Sequence, residues 1–536
     1  MFWRSAVLVL LALPAGADGI HFREVSHDWG IDFRHHQGAS GRLYMPESVS
    51  GGVLIFDFDG DGDEDILFID GGSLPGYTGE PPRSRLFRND GNGHFTDWTE
   101  QSGLRVQAYG MGGTAGDIDG DGDLDLFVTE FGGHDQLFRN NGDGTFTDVT
   151  AQSGAGDSLW SSSAAFADID NDGDLDLYVA NYVDFSLDNN KVCGDVAHHI
   201  PGYCHPDAYN PLPHHLYRNR GDGTFEDATQ AVGLGGAVGP GLGVVFGDID
   251  NDGWQDIYVA NDLKPNFLFY NKGKGQFEDI SLLSGTAYGI NGKPEAGMGV
   301  DMGDYDGDGL LDIVVTNFEL ETDALYKNLG GGAFTDVRAT ARIAEPTLPF
   351  LGFGVAFVDL DQDGDLDLVI ANGHVDPNAA LFLEGSTYKQ RNLVLENTGD
   401  GHFREAKDTG MDRLGAHRAL ACGDLDDDGD QDVVVVASDG PAEVWENTTV
   451  GGNWLLVDFA APSGNRFAIG ARVELEAGGK RQIRDVKTAS SYLAQNALAV
   501  HFGLGKSATV DRLTVRRPGR VDVYRNLPAN KRLLIE

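Results

Sequence analysis

The chain has 536 residues, 41% of them hydrophobic and 10% aromatic, so its acidity is not that of a disordered polyanion. Its formal net charge of −45, from 84 acidic against 39 basic residues, argues against nucleic acid as a partner. The length exceeds one ordinary core and calls for several domains or a repeat array.

The N-terminus, MFWRSAVLVLLALPAGADG, sets one Arg before an apolar run from Ala6 to Leu13 and then Ala15-Gly16-Ala17. This predicts a cleaved signal peptide over residues 1–17 and a secreted or periplasmic chain. No later segment approaches 18 uninterrupted apolar residues, so no membrane span is expected. Of the three cysteines, Cys193 and Cys204 are expected to pair as a disulfide, and Cys422, in an apolar run, to be a buried thiol.

From Asp57 the phrase D-x-D-x-D-G-x-x-D appears, and it recurs from Asp117, Asp168, Asp248, Asp304, Asp359 and Asp424. Seven copies in register are an internal repeat. The spacing is similar to the front half of an EF-hand calcium loop. Position 1 is Asp57, Asp117, Asp168, Asp248, Asp304, Asp359 and Asp424. Position 3 is Asp59, Asp119, Asp170, Asp250, Asp306, Asp361 and Asp426. Position 5 is Asp61, Asp121, Asp172, Asp252, Asp308, Asp363 and Asp428, and position 9 is Asp65, Asp125, Asp176, Asp256, Asp312, Asp367 and Asp432. These carboxylates are read as the side-chain ligands of about seven Ca2+ sites. Packed into nine residues they would repel one another without a cation. Position 7 is Asp63, Asp123, Asp174, Asp365 and Asp430 but also Trp254 and Leu310, so it is expected to coordinate through its backbone carbonyl. Magnesium fits less well, because it demands a rigid octahedron and retained water. Positions 2 and 10 are apolar throughout, from Phe58 and Ile66 to Leu425 and Val433, and should clamp the loop to the core.

Each loop sits in a unit of four short strands. In the second unit one strand ends at Gly116, a second starts at Leu126, and Leu137-Phe138-Arg139 turns through Asn140-Asn141-Gly142-Asp143-Gly144 into Thr145–Thr150. The hairpin phrase returns as LFRNDGNGHF from Leu86, LYRNRGDGTF from Leu216, LFYNKGKGQF from Leu268, LYKNLGGGAF from Leu325 and LVLENTGDGHF from Leu393. The seventh unit stops at Val444-Trp445-Glu446-Asn447 without a fourth strand, whereas His21–Ser26 is a fourth strand without a unit. Pairing the two closes a ring and removes the open edges of a linear array. The fold expected is therefore all-β, a seven-bladed β-propeller over residues 20–450 closed by the N-terminal strand. An open solenoid is the alternative.

The VVFGDID stretch from Val244 and its counterparts resemble FG-GAP (VCBS) repeats, the calcium-bearing blades also found in integrin α-chain propellers. Residues 453–536 contain no such loop but do contain alternating segments such as Arg472–Glu476, which predict a small β domain. Through Asn465–Arg472 (NRFAIGAR) and His501–Gly505 (HFGLG) that region resembles the ASPIC/UnbV domain. Where that domain usually has W-P-x-G, this chain has Arg517-Pro518-Gly519. Together the two parts look like a bacterial relative of the cartilage acidic protein family.

Two further groups are candidates for binding a ligand. The insertion over residues 182–215 carries His198, His199, His205, His214 and His215 beside Asp195 and Asp207. It is either a disulfide-pinned surface loop or a transition-metal site. Glu47, Trp160, Glu295, His417 and Arg418 precede the loops and could converge on a channel mouth, or simply cap strand ends. His374, in Asn372-Gly373-His374, is a ligand or a turn residue. From residue 448 onward 14 basic residues face 7 acidic ones, so the C-terminal part should dock on the acidic propeller or bind an anionic polymer. No HExxH, GxSxG, P-loop or CxxC framework is present. The reading that follows is a secreted, calcium-binding module for a protein or an extracellular glycan, of open oligomeric state. The alternative is an enzyme, a polysaccharide lyase or a biosynthetic tailoring enzyme, working at the channel mouth or the His-rich insertion.

Overall fold

The computed structural model describes residues 19–195 and 197–536. The expected signal peptide lies outside the described residues. Seven four-stranded antiparallel units follow one another, each built as the sequence grammar requires. In the second blade the strands are Tyr109–Gly116, Asp125–Phe131, Gln136–Asn140 and Phe146–Asp148. The acidic loop joins the first strand of each blade to the second, and position 9 opens that second strand. The seventh blade consists of His417–Gly423, Asp432–Ala437 and Ala442–Asn447, completed by Phe22–Glu24 with Phe22 opposite Asn447. The ring closes through the N-terminal strand.

Side chains at loop positions 2 and 10, from Phe58 and Ile66 to Leu425 and Val433, are at most 4% exposed and pack between neighbouring blades. Gly at position 6 has φ between +88° and +101° in all seven loops, a conformation that opposes any side chain.

Blades are tied to one another by a residue the repeat phrase contains but whose role it does not reveal. The Asn that ends each third strand is Asn89, Asn140, Asn219, Asn271, Asn328, Asn397 or Asn447. Its Nδ2 donates to the position-2 carbonyl of the preceding blade's loop at 2.7–2.9 Å. Asn89 reaches back to Leu425, so the series runs once round the ring.

The C-terminal part forms two sheets. One contains Val500–Gly505, Asn453–Phe459 and Lys531–Ile535, and the other Lys480–Asp485, Arg472–Ala477, Thr509–Arg517 and Arg520–Pro528. It docks on the loop face of the propeller in the same chain. Arg466 donates to the Asp121 carbonyl at 2.6 Å, Arg472 to that of Asp248 at 2.9 Å, and Lys480 pairs with Asp365 at 2.6 Å. The basic domain thus meets the acidic face within the molecule, while position 5 of every loop, from Asp61 to Asp428, stays exposed.

From this domain a loop passes into the channel. Innermost strands of a propeller present unpaired backbone groups to the axis, and the loop over 487–497 pairs with them. Ser491 exchanges backbone hydrogen bonds with Val300 at 2.7 and 2.9 Å, Thr488 does so with Phe166 through its hydroxyl, and Ala494–Gln495 runs parallel to Val53–Leu54. Gln495 Oε1 accepts from Ala115 N, and Asn496 Oδ1 from Cys422 N. At the tip Tyr492 is fully buried, its ring 4.9 Å from that of Phe353 and its hydroxyl donating to the Val49 carbonyl at 2.6 Å. The channel is filled.

If this loop holds the blades around it, Tyr492→Ala destabilises the whole chain by about 3–5 kcal/mol, and Tyr492→Phe by about 1 kcal/mol for the lost hydrogen bond. Chemical denaturation followed by tryptophan fluorescence measures both. An unchanged midpoint for the alanine variant contradicts the structural role.

Candidate functional site: acidic loops on one face, a cavity on the other

The seven loops share one hydrogen-bond plan. The position-1 carboxylate accepts from the position-6 N–H at 2.9–3.1 Å in every copy. Position 5 accepts from the position-7 N–H at 2.8–3.0 Å. At position 9 one oxygen accepts from the position-2 N–H at 2.9–3.3 Å. The other accepts from the backbone N–H of the ring-tying Asn at 2.7–2.9 Å. The position-9 aspartate therefore does more than offer a ligand: it fixes its own loop and its own third strand.

Position 3 is left over. Its Oδ1 is buried without a hydrogen-bond partner in Asp59, Asp170, Asp250, Asp306 and Asp426. A buried anionic oxygen with nothing to pair it is costly, and a hard cation would supply the missing charge. Ligand oxygens of Asp57, Asp59 and Asp61 lie within 4.8 Å of one another, as do those of Asp117, Asp119 and Asp125, of Asp168, Asp170 and Asp176, of Asp248, Asp250 and Asp256, and of Asp304, Asp306 and Asp308. All-oxygen sets of this kind fit a calcium ion. Burial first, then the neighbouring carboxylates, holds several position-1 and position-9 carboxyls above the usual carboxylate range in the metal-free chain. Asp117 and Asp168 are pushed up to about 6, Asp125, Asp176 and Asp312 to about 8. In the fifth loop Lys327 already pairs with Asp306 and lies 3.0 Å from Asp308.

On the opposite end of the channel, above Tyr492, is a cavity of about 440 Å3. Its wall is apolar, with Met45, Val49, Met298, Phe318 and Phe353, and its rim is the disulfide-bonded insertion together with the short helix Ala379–Phe382. Glu319, Glu321, Asp262 and Asp376 add carboxylates. Asp262 accepts from the Tyr182 hydroxyl at 2.6 Å, and burial pushes it up to about 7. Glu319 accepts from the Ser386 hydroxyl at 2.7 Å.

The candidate residues separate around this cavity. His374 and His205 line it. His374 Nδ1 accepts from Asp376 N at 2.9 Å, so the neutral ring carries its proton on Nε2, 3.7 Å from Glu319. Burial, then Arg418, lowers its pKa to about 4 and keeps it neutral. Arg418 lies beneath. Fully buried and 4.1 Å from the Phe353 ring, it donates to the carbonyls of Ser48, Gly373, His417 and His374, joining the segments that form the floor. Glu47 accepts from Tyr203 of the insertion at 2.9 Å, and burial raises its pKa.

The other candidates go elsewhere. Trp160 is 2% exposed within a cluster of Phe131, Tyr182 and Phe185. Glu295 forms a two-pronged ion pair with Arg338 at 2.8 and 3.0 Å. His417 is wholly buried between the Asn372 carbonyl and Glu443. Nor do the insertion's histidines converge. His198 pairs with Asp195, His205 caps the turn at Asp207, His214 bonds Tyr178 and His215 bonds Asp157, while His199 is exposed. Cys193 and Cys204 are bonded, and Cys422 is free and buried. Sequence reasoning missed Glu319, Glu321, Asp262 and Phe353, which come from three blades and share no local pattern.

Comparison with known proteins agrees with this geometry. The FG-GAP-like repeat model matches residues 57–128, 117–179, 210–259, 248–315, 304–370 and 378–435, and the model described as ASPIC and UnbV matches residues 461–536. Cartilage acidic protein 1 of Xenopus tropicalis is 29% identical over 492 residues, 86% of this chain and 69% of that protein. The Homo sapiens protein of that name is 28% identical over 86% of this chain and 68% of its own length. Among solved structures, an Agrocybe aegerita lectin that recognises non-reducing terminal N-acetylglucosamine is 18% identical with a TM-score of 0.39, covering 73% of this chain and 87% of the lectin. The BBS1N chain from a complex with ARL6DN is 10% identical with a TM-score of 0.39, over 75% and 95%. The chain belongs to the FG-GAP-like repeat proteins, carries a C-terminal ASPIC and UnbV domain, and is homologous to cartilage acidic protein 1 over most of its length.

Proposed function

We propose that this chain is an extracellular, calcium-stabilised propeller that binds a protein or a glycan at the cavity on the face opposite its loops. One observation supports this reading above the rest: the two faces have different chemistry. The loop face carries buried carboxylates in a repeated plan and is covered by the C-terminal domain. The other face carries the axial cavity described above among irregular insertions, the usual place for specificity on a repeated scaffold. The Cys193–Cys204 disulfide supports an oxidising, calcium-rich compartment. Calcium in this reading is structural. It neutralises position 3 and, through positions 1 and 9, keeps each loop in the conformation that accepts the neighbouring blade's Asn.

Chelation should lower the melting temperature, since each site filled at a hundred times its Kd adds about 2.7 kcal/mol to the native state. The effect has a direction in pH. In the metal-free chain Asp117, Asp168, Asp125, Asp176 and Asp312 titrate above their unfolded values, near 6 to 8. Their contribution to stability is present in full below about pH 4 and is lost as pH rises through that range. The chelated protein should therefore melt at a lower temperature at about pH 8 than at about pH 5.5, and the increment from added calcium should grow over the same interval. Calorimetry in matched buffers checks this. An increment that shrinks toward pH 8 would contradict it.

Binding is tested on glycan and extracellular-protein arrays. A ligand captured by the native chain should be lost on Glu319→Gln or Phe382→Ser, at the cavity, and kept by His198→Ala, which points away from it. Capture that survives both cavity variants puts the binding surface elsewhere.

A further inference from the structure

The seven loops share a plan but not their surroundings. In the first, third, fourth and fifth loops one carboxylate oxygen, at position 3, is buried without a partner. The seventh loop has three: Oδ1 of Asp424, Asp426 and Asp430. Asp424 and Asp430 are only 5% and 6% exposed. Asp430 stands at position 7, where Asp63, Asp123, Asp174 and Asp365 of other loops are half-buried. A carbonyl-only role at this position therefore does not describe the seventh loop, whose Asp430 carboxylate is turned into the protein with no donor on it.

Cations already present separate the loops further. The residue before the ring-tying Asn is Arg88, Arg139, Arg218 and Lys327 in the first, second, third and fifth blades. Arg218 lies 3.5 Å from Asp170, and Lys327 pairs with Asp306. Tyr270 takes the place in the fourth blade and donates to Asp250 at 3.0 Å. The sixth blade has Glu396 there, but Lys480 of the C-terminal domain reaches Asp365 at 2.6 Å. In the seventh blade the residue is Glu446, held by Arg23 of the N-terminal strand at 2.5 Å. Arg532 is held by Asp458 at 2.6 Å and lies 3.5 Å from Glu64, and of the seventh loop it reaches Asp427 at 3.7 Å, at position 4, which is not a ligand position.

The seventh loop is also enclosed at its turn, although Asp427 and Asp428 are exposed. The Trp454 indole lies so close on Gly429 that a Cβ there would meet it at 1.8 Å, and both His501 Nε2 and Gln362 Nε2 donate to the Gly429 carbonyl, at 3.1 and 3.2 Å. A cation here would sit in low dielectric among carboxylate oxygens that have no other partner, whereas in the third, fifth and sixth loops it meets a guanidinium or ammonium already on a loop carboxylate.

We propose that the seventh loop is the high-affinity calcium site of the ring, filled before the other six, and that it takes its ion through the side chain of Asp430 together with Asp424 and Asp426. This rests on the calcium reading above and adds an order to it. The loop lies where the ring is closed: Asn89 of the first blade binds the Leu425 carbonyl, and Asp432 receives the Asn447 N–H beside the paired N-terminal strand. The first ion bound would thus hold the closing blade and the C-terminal domain together.

The test uses the full-length chain, stripped with chelator and returned to about one equivalent of calcium. Amide hydrogen exchange should slow first over 424–432, 445–447 and 22–24, before any other loop. In calcium titrations, Asp430→Asn should weaken the first equivalent by about tenfold or more, while Asp123→Asn, at the same position of the second loop, leaves it intact. Exchange that slows evenly over all loops, or first in another, overturns the proposal, as does an unweakened first equivalent in Asp430→Asn. Should that variant fail to fold, the order of exchange in the native chain decides alone. A chain that takes up no calcium at any concentration removes the calcium reading itself, a separate failure.

Discussion

The buried aspartate at position 9 of each loop is the interaction on which the rest of the molecule depends. One oxygen holds the start of its own loop, and the other holds the backbone of an Asn whose side chain grips the preceding blade. Seven such groups in series make the loop conformation and the blade-to-blade contact a single condition. A change that opened one loop would release a hydrogen bond in its own blade and one in the next. Position 9 is also among the most desolvated of the acidic positions, and burial raises the pKa of Asp65, Asp256, Asp367 and Asp432 well above the carboxylate range. An arrangement that concentrates anionic oxygens in the interior needs a compensating charge close by. The unpartnered position-3 oxygens mark where that charge belongs.

The second constraint comes from the axis. Seven inner strands facing a channel expose backbone donors and acceptors with no strand beyond them. The loop over 487–497 supplies partners to the first, second, third, fifth, sixth and seventh blades. The C-terminal domain is therefore part of the propeller's core as well as a lid over its loops, and the two regions form one packed cluster around Phe166, Leu175, Phe502 and Leu513. Because the loop fills the channel up to Tyr492, the axial cavity lies at the end beyond it. The insertion, the short helix and Arg418 shape that space.

Much of this was legible in the residues. Seven copies of one phrase gave the blade count, and a missing last strand matched by an orphan first one gave the closure, since strand order and period survive in sequence. The Cys193–Cys204 pairing was legible in spacing, and the charge split pointed to docking on the acidic ring or to an anionic polymer, of which the structure shows the docking. Other features were not legible. The ring-tying Asn appeared in every hairpin phrase, but there it read as a turn residue because its second partner belongs to another blade. The filled channel left no trace, since Thr488, Tyr492 and Gln495 sit in an unremarkable loop and matter only through partners more than a hundred residues away. Trp160, Glu295 and His417 precede loops much as Glu47 and Arg418 do, yet they satisfy the core. Whether a residue at a strand end faces the axis or a neighbouring blade depends on local register, which one sequence does not print.

The central claim is that each acidic loop is a calcium site serving the scaffold. Its most direct test is the metal content of the full-length chain, purified without chelator and exchanged into calcium-buffered solution, by elemental analysis. The account predicts calcium at about seven per chain. Calcium absent from the folded protein, with the ring intact, would contradict it.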